Sequence, residues 1–362
     1  MALLRVASGV TRLMAVLLIV AGAGSGAGCG VEALPLNEQN RALSELGRHL
    51  FYERRLSLYD DRACGICHEQ AKGFTDGFVR AVGTTGEVHP RNTLTLLNVS
   101  SRDTLSWLVP TPTDLAEHVL IPLLGTQPVE MGMAEVIDAR LDELREDATY
   151  QDLLRALNLP QPAFDLDLVA DALAAFLEGL SDYDAPYDRY LAGATDALTE
   201  QEKRGEALFF SEDVGCSACH GGADFDQGGD ARHGWYNTGL YDLGDGAYPT
   251  GRQGLFEVTG LADDVGRYRV PTLRHLRFTG PYYHDGTGAT LADVIENYNR
   301  GGRLVSSGPY VGDGRESPHK DPRVQPLGLS VEEMLALEAF LLSLSNEAVV
   351  TRASWSDPWP RE

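Results

Sequence analysis

The chain is poor in basic residues, in sulfur and in long apolar runs. Lys and Arg number 30 against 53 Asp and Glu in 362 residues, a net charge of −23. Nucleic-acid binding, which leans on Lys/Arg contacts to phosphate, is excluded as the main function. Such acidity is ordinarily a solvated surface, and it can also steer basic or metal-binding partners. No segment supplies the roughly 20 apolar residues of a membrane-spanning helix. The run Leu13 to Val20 is shorter, follows Arg5 and Arg12, and ends among glycines and alanines, so residues 1–29 read as an export signal. Cysteine occurs five times, and four of the five stand in two C-x-x-C pairs, which leaves Cys29 no partner for a disulfide. At 43% hydrophobic residues the chain can bury real cores, and its length suggests two domains.

What is present is one motif written twice, as Cys64-Gly65-Ile66-Cys67-His68 and as Cys216-Ser217-Ala218-Cys219-His220. C-x-x-C-H is the attachment site of a c-type haem. The two thiols add across the haem vinyl groups and the adjacent His supplies one axial nitrogen to iron. A redox dithiol has no use for the adjacent His, and a zinc site wants further ligands at short spacing. The expected cofactors are therefore two covalent haems, on Cys64, Cys67 and His68 and on Cys216, Cys219 and His220. Export to the periplasm fits, because bacterial c-type haem is attached outside the cytoplasm. Gly26-Ala27-Gly28-Cys29 resembles a lipoprotein signal with Gly26 in the usual aliphatic place. It sets a lipid anchor on Cys29 against simple cleavage nearby.

The organisation around the two motifs also repeats. Leu43, Leu46, Leu50 and Phe51 fall at helical spacing within Glu38 to Phe51. Gly47-Arg48-His49-Leu50-Phe51-Tyr52 precedes the first motif and Gly205-Glu206-Ala207-Leu208-Phe209-Phe210 the second. Thr95-Leu96-Leu97-Asn98 is echoed by Thr272-Leu273-Arg274-His275. The expected fold is mainly α, loop-rich with few short strands: two tandem cytochrome c-like domains at 35–185 and 195–347. Leu166 to Leu180 reads as an amphipathic helix, Ser181 to Gly193 as a linker, and 221–268 as loop with short strands. Val331 to Leu344 closes the second domain, and 348–362 is a tail without periodicity.

The residue opposite each axial His decides what a haem does, since two protein ligands make an electron carrier and one leaves iron open. Methionine, the usual partner in electron carriers, occurs five times. Met1 and Met14 leave with the signal, Met131 and Met133 belong to the first domain, and Met334 sits in a helix where a core role is expected. A His/Met second haem is therefore disfavoured. His233, His275, His284, His319 and the tyrosines remain, and spacing alone does not choose among them.

Arg269-Val270-Pro271-Thr272-Leu273-Arg274 and Thr279-Gly280-Pro281-Tyr282-Tyr283-His284-Asp285-Gly286 resemble the C-terminal signature of bacterial di-haem cytochrome c peroxidases. Pro128-Val129-Glu130-Met131-Gly132 is similar to their P-x-E-M-G segment and Arg91-Asn92 to their metal-side element, so the resemblance spans nearly the whole mature chain. It implies that hydrogen peroxide reacts at the haem of His68 with Glu130 as distal base. It places Tyr298, nineteen residues after Thr279, where ordinary peroxidases carry methionine and MauG-type enzymes an axial tyrosine. Trp107, fifteen after Asn92, falls at the position of the tryptophan between the haems. Asn92 with the carbonyls of Thr279 and Pro281 would hold calcium. His89 lies only three residues before Asn92, closer than the loop histidine that blocks the first haem of resting peroxidases, so that iron is expected to be open. Val214 stands where MauG carries a surface tryptophan, which moves the exit for oxidising equivalents elsewhere, to Trp235 or the tyrosines near Tyr282 and Tyr283. Gly83 to Arg91, Tyr236 to Tyr241 and Pro318-His319-Lys320 bring the resemblance nearer the MbnH-like branch. That branch implies oxidation of a tryptophan of a partner copper-binding protein to kynurenine through a two-iron high-valent state. The alternatives are a conventional peroxidase fed by a small cytochrome or cupredoxin, and a di-haem electron-transfer protein.

Overall fold

The computed structural model describes residues 36–102, 104–109, 114–158, 164–226 and 234–359. The export signal, Cys29 and His233 lie outside them. The longer helices are α1 (Leu36–Phe51), α2 (Ile137–Glu146), α3 (Ala148–Ala156), α4 (Leu166–Glu178), α5 (Pro186–Leu191), α6 (Glu200–Phe209), α7 (Leu291–Asn299) and α8 (Val331–Ser343). The strands are two residues long: β1 (Trp235–Tyr236) pairs antiparallel with β2 (Tyr268–Arg269), and β3 (Leu304–Val305) with β4 (Gly312–Asp313). The expected mainly helical, strand-poor fold is what the chain adopts.

Two helix pairs carry the repeat. In the first, α1 crosses α4 so closely that a Cβ on Gly47 would stand 1.8 Å from the carbonyl oxygen of Ala172. In the second, α6 crosses α8, and a Cβ on Gly205 would stand 1.9 Å from the carbonyl oxygen of Ala336. Only glycine allows backbones this near, which is why the G-x-x-x-F segments before both C-x-x-C-H motifs share it. The second pair is held at its N-termini by capping boxes, Thr199 with Glu202 and Ser330 with Glu333, each satisfying helix-end donors in both directions.

Each pair has its own apolar core. Leu46, Leu50, Phe51 and Phe176 centre the first, and Tyr187, Phe209, Phe225 and Phe340 the second. A smaller, separate cluster joins Trp107, Leu108, Trp235, Leu255 and Tyr268. Two segments differ from the sequence expectation. The linker contains α5, opened by Pro186 at its first position, where the missing N–H costs nothing. Its Tyr187 packs edge-on to Phe340, so periodicity over six residues was too short to reveal it. The tail folds back: Trp355 is buried in the first core 6.1 Å from Phe74, and Tyr52 Oη donates to its carbonyl at 2.7 Å.

Matching positions of the two halves share one backbone conformation. Asn98 and His275 both adopt left-handed backbone, at φ 55° and 62°. Asn98 N donates to Leu180 O at 2.8 Å and His275 N to Leu344 O at 3.2 Å. Between the halves, Asn346 Nδ2 and Arg352 Nη2 both donate to Asp182 Oδ1, at 2.9 and 2.8 Å.

Candidate active site with two haem attachments

Cys64–Cys67 and Cys216–Ala218 each form a single helical turn, which brings both thiols and the following His to one side. His68 Nδ1 donates to Phe74 O at 2.9 Å, and His220 Nδ1 donates to Phe225 O at 2.9 Å. Both acceptors sit on a Phe in the left-handed region, φ 59° and 55°, a conformation that costs a non-glycine residue about 1 kcal/mol and persists because each ring is buried. The reward is orientation: with Nδ1 committed to a carbonyl, Nε2 presents its lone pair. Burial lowers the pKa of His68, and that of His220 to about 4, so both rings are neutral and able to ligate. Burial also pushes the thiols of Cys64, Cys67 and Cys216 up to about 12, 11 and 12. A redox dithiol needs the opposite shift. Among the described residues no group of three or more His, Cys, Asp or Glu is placed to hold a metal ion.

A cavity of about 250 Å³ opens beside the second motif, lined by Cys216, Cys219, His220, Tyr298, Trp107 and Arg269. The residues fit a haem. The lining is mainly apolar, and Arg269, buried to 5% exposure, has an Nη2 with no hydrogen-bond partner. Burial lowers its pKa only to about 10, so it remains a cation, and a haem carboxylate is the anion such a group requires. Tyr298, on α7, lies near the sulfurs of Cys219 and Cys216 and is held well above the ordinary phenol range, by burial first and then by Tyr283 and those sulfurs. The neutral phenol would ionise there only against a cation such as iron.

Asn92, Thr279, Pro281 and Trp107 line the same cavity. Asn92 Nδ2 donates to Phe78 O and Val79 O at 2.9 and 3.3 Å, which turns Oδ1 the other way. Its carbonyl accepts from Trp107 Nε1 at 2.8 Å, and its N donates to His284 O at 2.7 Å. One residue thus ties Trp107 to the 279–286 segment.

Glu130 belongs to the first motif. Thr84 N donates to its carbonyl at 2.8 Å, and the carbonyl of the next residue, Met131, accepts from Leu58 N at 2.8 Å. Its carboxyl is about one third exposed, and burial raises its pKa while His89, whose Nε2 is 3.9 Å from Oε1, pulls it down. Glu130 and His89 also perturb the groups of the first motif, Glu130 the thiols of Cys64 and Cys67 and His89 the imidazole of His68, which locates both beside that attachment. His118 was not picked out from the sequence. It closes the turn Leu115–His118, and its pKa is lowered by burial and then by His68. No local signal marks it.

The other candidate residues lie as follows in the fold. Met334 Sδ accepts from Asn299 Nδ2 at 3.4 Å within the second core, and Met131 and Met133 are buried in the first. His275 is fully buried at the junction of the halves, its Nδ1 3.5 Å from Asn346 N. His284 lines the cavity with its ring stacked on Tyr268 at 3.5 Å, and its buried Nε2 has no hydrogen-bond partner. His319 packs against Gly246, away from the cavity lining.

With this geometry the comparisons with known proteins agree. The model for di-haem cytochrome c peroxidase matches residues 41–196. Cytochrome-c peroxidase IdrP2 of Denitromonas iodatirespirans is 30% identical over 92% of this chain and 90% of its own. The methylamine utilization protein MauG of Methylorubrum extorquens is 30% identical over 87% and 81%. A solved structure described as a MauG-like protein associated with microbial copper homeostasis superposes with TM-score 0.84 at 36% identity, covering 94% of this chain and 100% of that one. The chain belongs to the di-haem cytochrome c peroxidase family that includes the MauG proteins, haem-dependent oxidoreductases carrying two c-type haems.

Proposed function

We propose that the protein is exported and uses hydrogen peroxide to oxidise a side chain, a tryptophan taken to kynurenine, of a partner copper-binding protein. The observation that carries this reading is Tyr298. It lies at the second attachment in place of a methionine, while the three described methionines are used in packing. The copper link of the MauG-like neighbour supports the partner class.

The haems would supply peroxide cleavage at the His68 site and storage of oxidising equivalents shared with the His220 site, where a phenolate ligand favours the oxidised metal. Glu130 takes the proton from the inner peroxide oxygen and returns it to the outer one as the O–O bond breaks. Its raised pKa brings base strength and proton return closer to balance at working pH. Trp107, anchored through its N–H to Asn92 O, would pass electrons between the two sites. Asn92 Oδ1 with the carbonyls of Thr279 and Pro281 suits calcium, a hard cation that takes neutral oxygen donors and water. Cys29 at the end of the export signal is proposed as a lipid anchor in the periplasm.

The names of the relatives favour a second reading, a conventional peroxidase supplied by a small electron carrier. EPR of the ferric holoprotein separates the two. Tyrosine ligation predicts one high-spin haem and one low-spin His/Tyr haem, the latter lost in Tyr298→Phe. A low-spin His/Met or His/His signal, or an unchanged spectrum in Tyr298→Phe, would overturn the proposal. Peptide mass mapping of a copper-binding protein encoded nearby, after enzyme and peroxide, then tests for kynurenine.

A further inference from the structure

We infer that Trp235 is the surface-side stop through which oxidising equivalents leave Trp107, and that Tyr268, although it touches Trp107, is not a stop. This rests on the reading above.

The backbone puts Trp107 and Trp235 on either side of one strand. Arg269 N donates to Trp107 O at 3.3 Å, and Arg269 Nε donates to Ser106 O at 3.0 Å. On its other side Arg269 pairs with Trp235 across the β1–β2 ladder, and Val270 N donates to Gly234 O at 2.7 Å. Trp107 and Trp235 therefore flank one strand, two inter-strand spacings apart, roughly 10 Å between backbones. Both are buried, at 8% and 4% exposure, in one small apolar cluster separate from the two main cores. Leu255 belongs to that cluster, and the chain after it carries Val258 and Leu261, 55% and 61% exposed. Trp235 thus shares its cluster with the segment that leads to this exposed apolar surface.

The rival route is aromatic too. Trp107 meets Tyr268 and His284 edge-on, each at 6.4 Å between ring centroids. Tyr268 and His284 stack at 3.5 Å with 9° between their planes. The Tyr268 hydroxyl is buried and faces the backbone N–H of Gly254, a donor, with no protein acceptor in reach. A phenol that loses an electron must also lose its proton, and no protein group stands within hydrogen-bond distance of Oη to take it. An indole carries the missing electron with its N–H intact, so the equivalents pass over Tyr268. Tyr282 and Tyr283 do not compete. Tyr282 Oη donates to Leu276 O at 2.8 Å, and Tyr283 Oη accepts from Asn297 Nδ2 at 3.1 Å, on the Tyr298 side of the cavity.

The electron balance is simple. The substrate side chain gives an electron to oxidised Trp235, which has given its own to Trp107 and so to the haem pair. Two such transfers, with two protons taken up, complete the reduction of one hydrogen peroxide to two waters. Each peroxide thus removes two electrons and two protons from the substrate; taking a tryptophan to kynurenine needs two such rounds, with water supplying the oxygen and the indole C2 leaving as formate.

The test uses the holoenzyme with stoichiometric peroxide and no partner, frozen for EPR and digested for peptide mass mapping. The expected result is a tryptophan radical with oxygen insertion at Trp235. Both are lost in Trp235→Phe and both are kept in Tyr268→Phe. Oxygen insertion confined to other residues, a radical unchanged in Trp235→Phe, or its loss in Tyr268→Phe would overturn the exit while leaving the peroxide reaction standing. A wild type that forms no oxidised state at all overturns both. Mapping on the wild type decides the matter even if Trp235→Phe folds poorly, and matching haem absorbance in the variants shows that attachment is intact.

Discussion

Glu130 and His89 make the reaction at the first site predictable as a function of pH. Glu130 works as a base only when ionised, so the rate of peroxide reaction rises as pH climbs through its pKa. Burial places that rise above the ordinary carboxylate value near 4.3. His89 opposes the shift: as an imidazolium 3.9 Å from Oε1 it favours the carboxylate. At that separation two unit charges are worth about 1 kcal/mol in water and about 4 at an effective dielectric of 20. Both side chains are about one third exposed, so the lower figure, about 1 kcal/mol or less, applies. His89→Gln should therefore move the rise to higher pH by about half a unit, one unit being worth 1.36 kcal/mol. Glu130→Gln should slow the reaction about 10²- to 10⁴-fold, the usual range for a positioned acid–base group. Stopped-flow absorbance of the ferric holoprotein mixed with peroxide, from pH 4.5 to 8, measures both. A wild-type rate in Glu130→Gln, or a rise that moves to lower pH in His89→Gln, would refute the reasoning.

Other consequences follow from packing and ligation. Gly205→Ala forces a methyl into the carbonyl of Ala336 and should cost about 1–3 kcal/mol in denaturant unfolding, with the same expected for Gly47→Ala against Ala172. Trp355→Ala, at the back of Phe74, should cost about 3–5 kcal/mol and lower the first half's stability; an unchanged unfolding midpoint would detach the tail from that core. Met334→Leu should leave the low-spin EPR signal unaltered, since its sulfur serves Asn299 rather than iron. Calcium chelation should change the coupling between the two haem spectra in the wild type and have no effect in an Asn92→Ala variant. A wild type indifferent to chelation would remove the metal from the scheme.

Attachment chemistry was legible because it is local. Two thiols and a ligand within five residues need one turn of chain, so the pair of C-x-x-C-H motifs carries its meaning without the rest of the fold. The same holds for α1, α4 and α8, whose apolar spacing is written along the helix, and for Gly47 and Gly205, repeated because two crossings need the same clearance. Pairwise choices were not legible in this way. Spacing left His275, His284 and the tyrosines open, and only the resemblance singled out Tyr298. In the fold His275 is a left-handed junction residue and His284 a ring stacked on Tyr268, positions set by packing against distant segments. His118 carried no signal at all, and Arg269 only its place in the C-terminal signature, because what marks them is burial beside His68 and a buried Nη2 without a partner in a cavity.

By itself the sequence determined that two haems are attached, that methionine is too scarce to serve the second, and that helices frame both. Tertiary structure decided which groups face each site: Glu130 against His89, Tyr298 beside Cys216 and Cys219, Trp107 across one strand from Trp235. The physical reason is distance along the chain. Ligands four residues apart are set by a single turn, whereas groups separated by forty or more residues meet only through the packing of two cores, which no local pattern encodes.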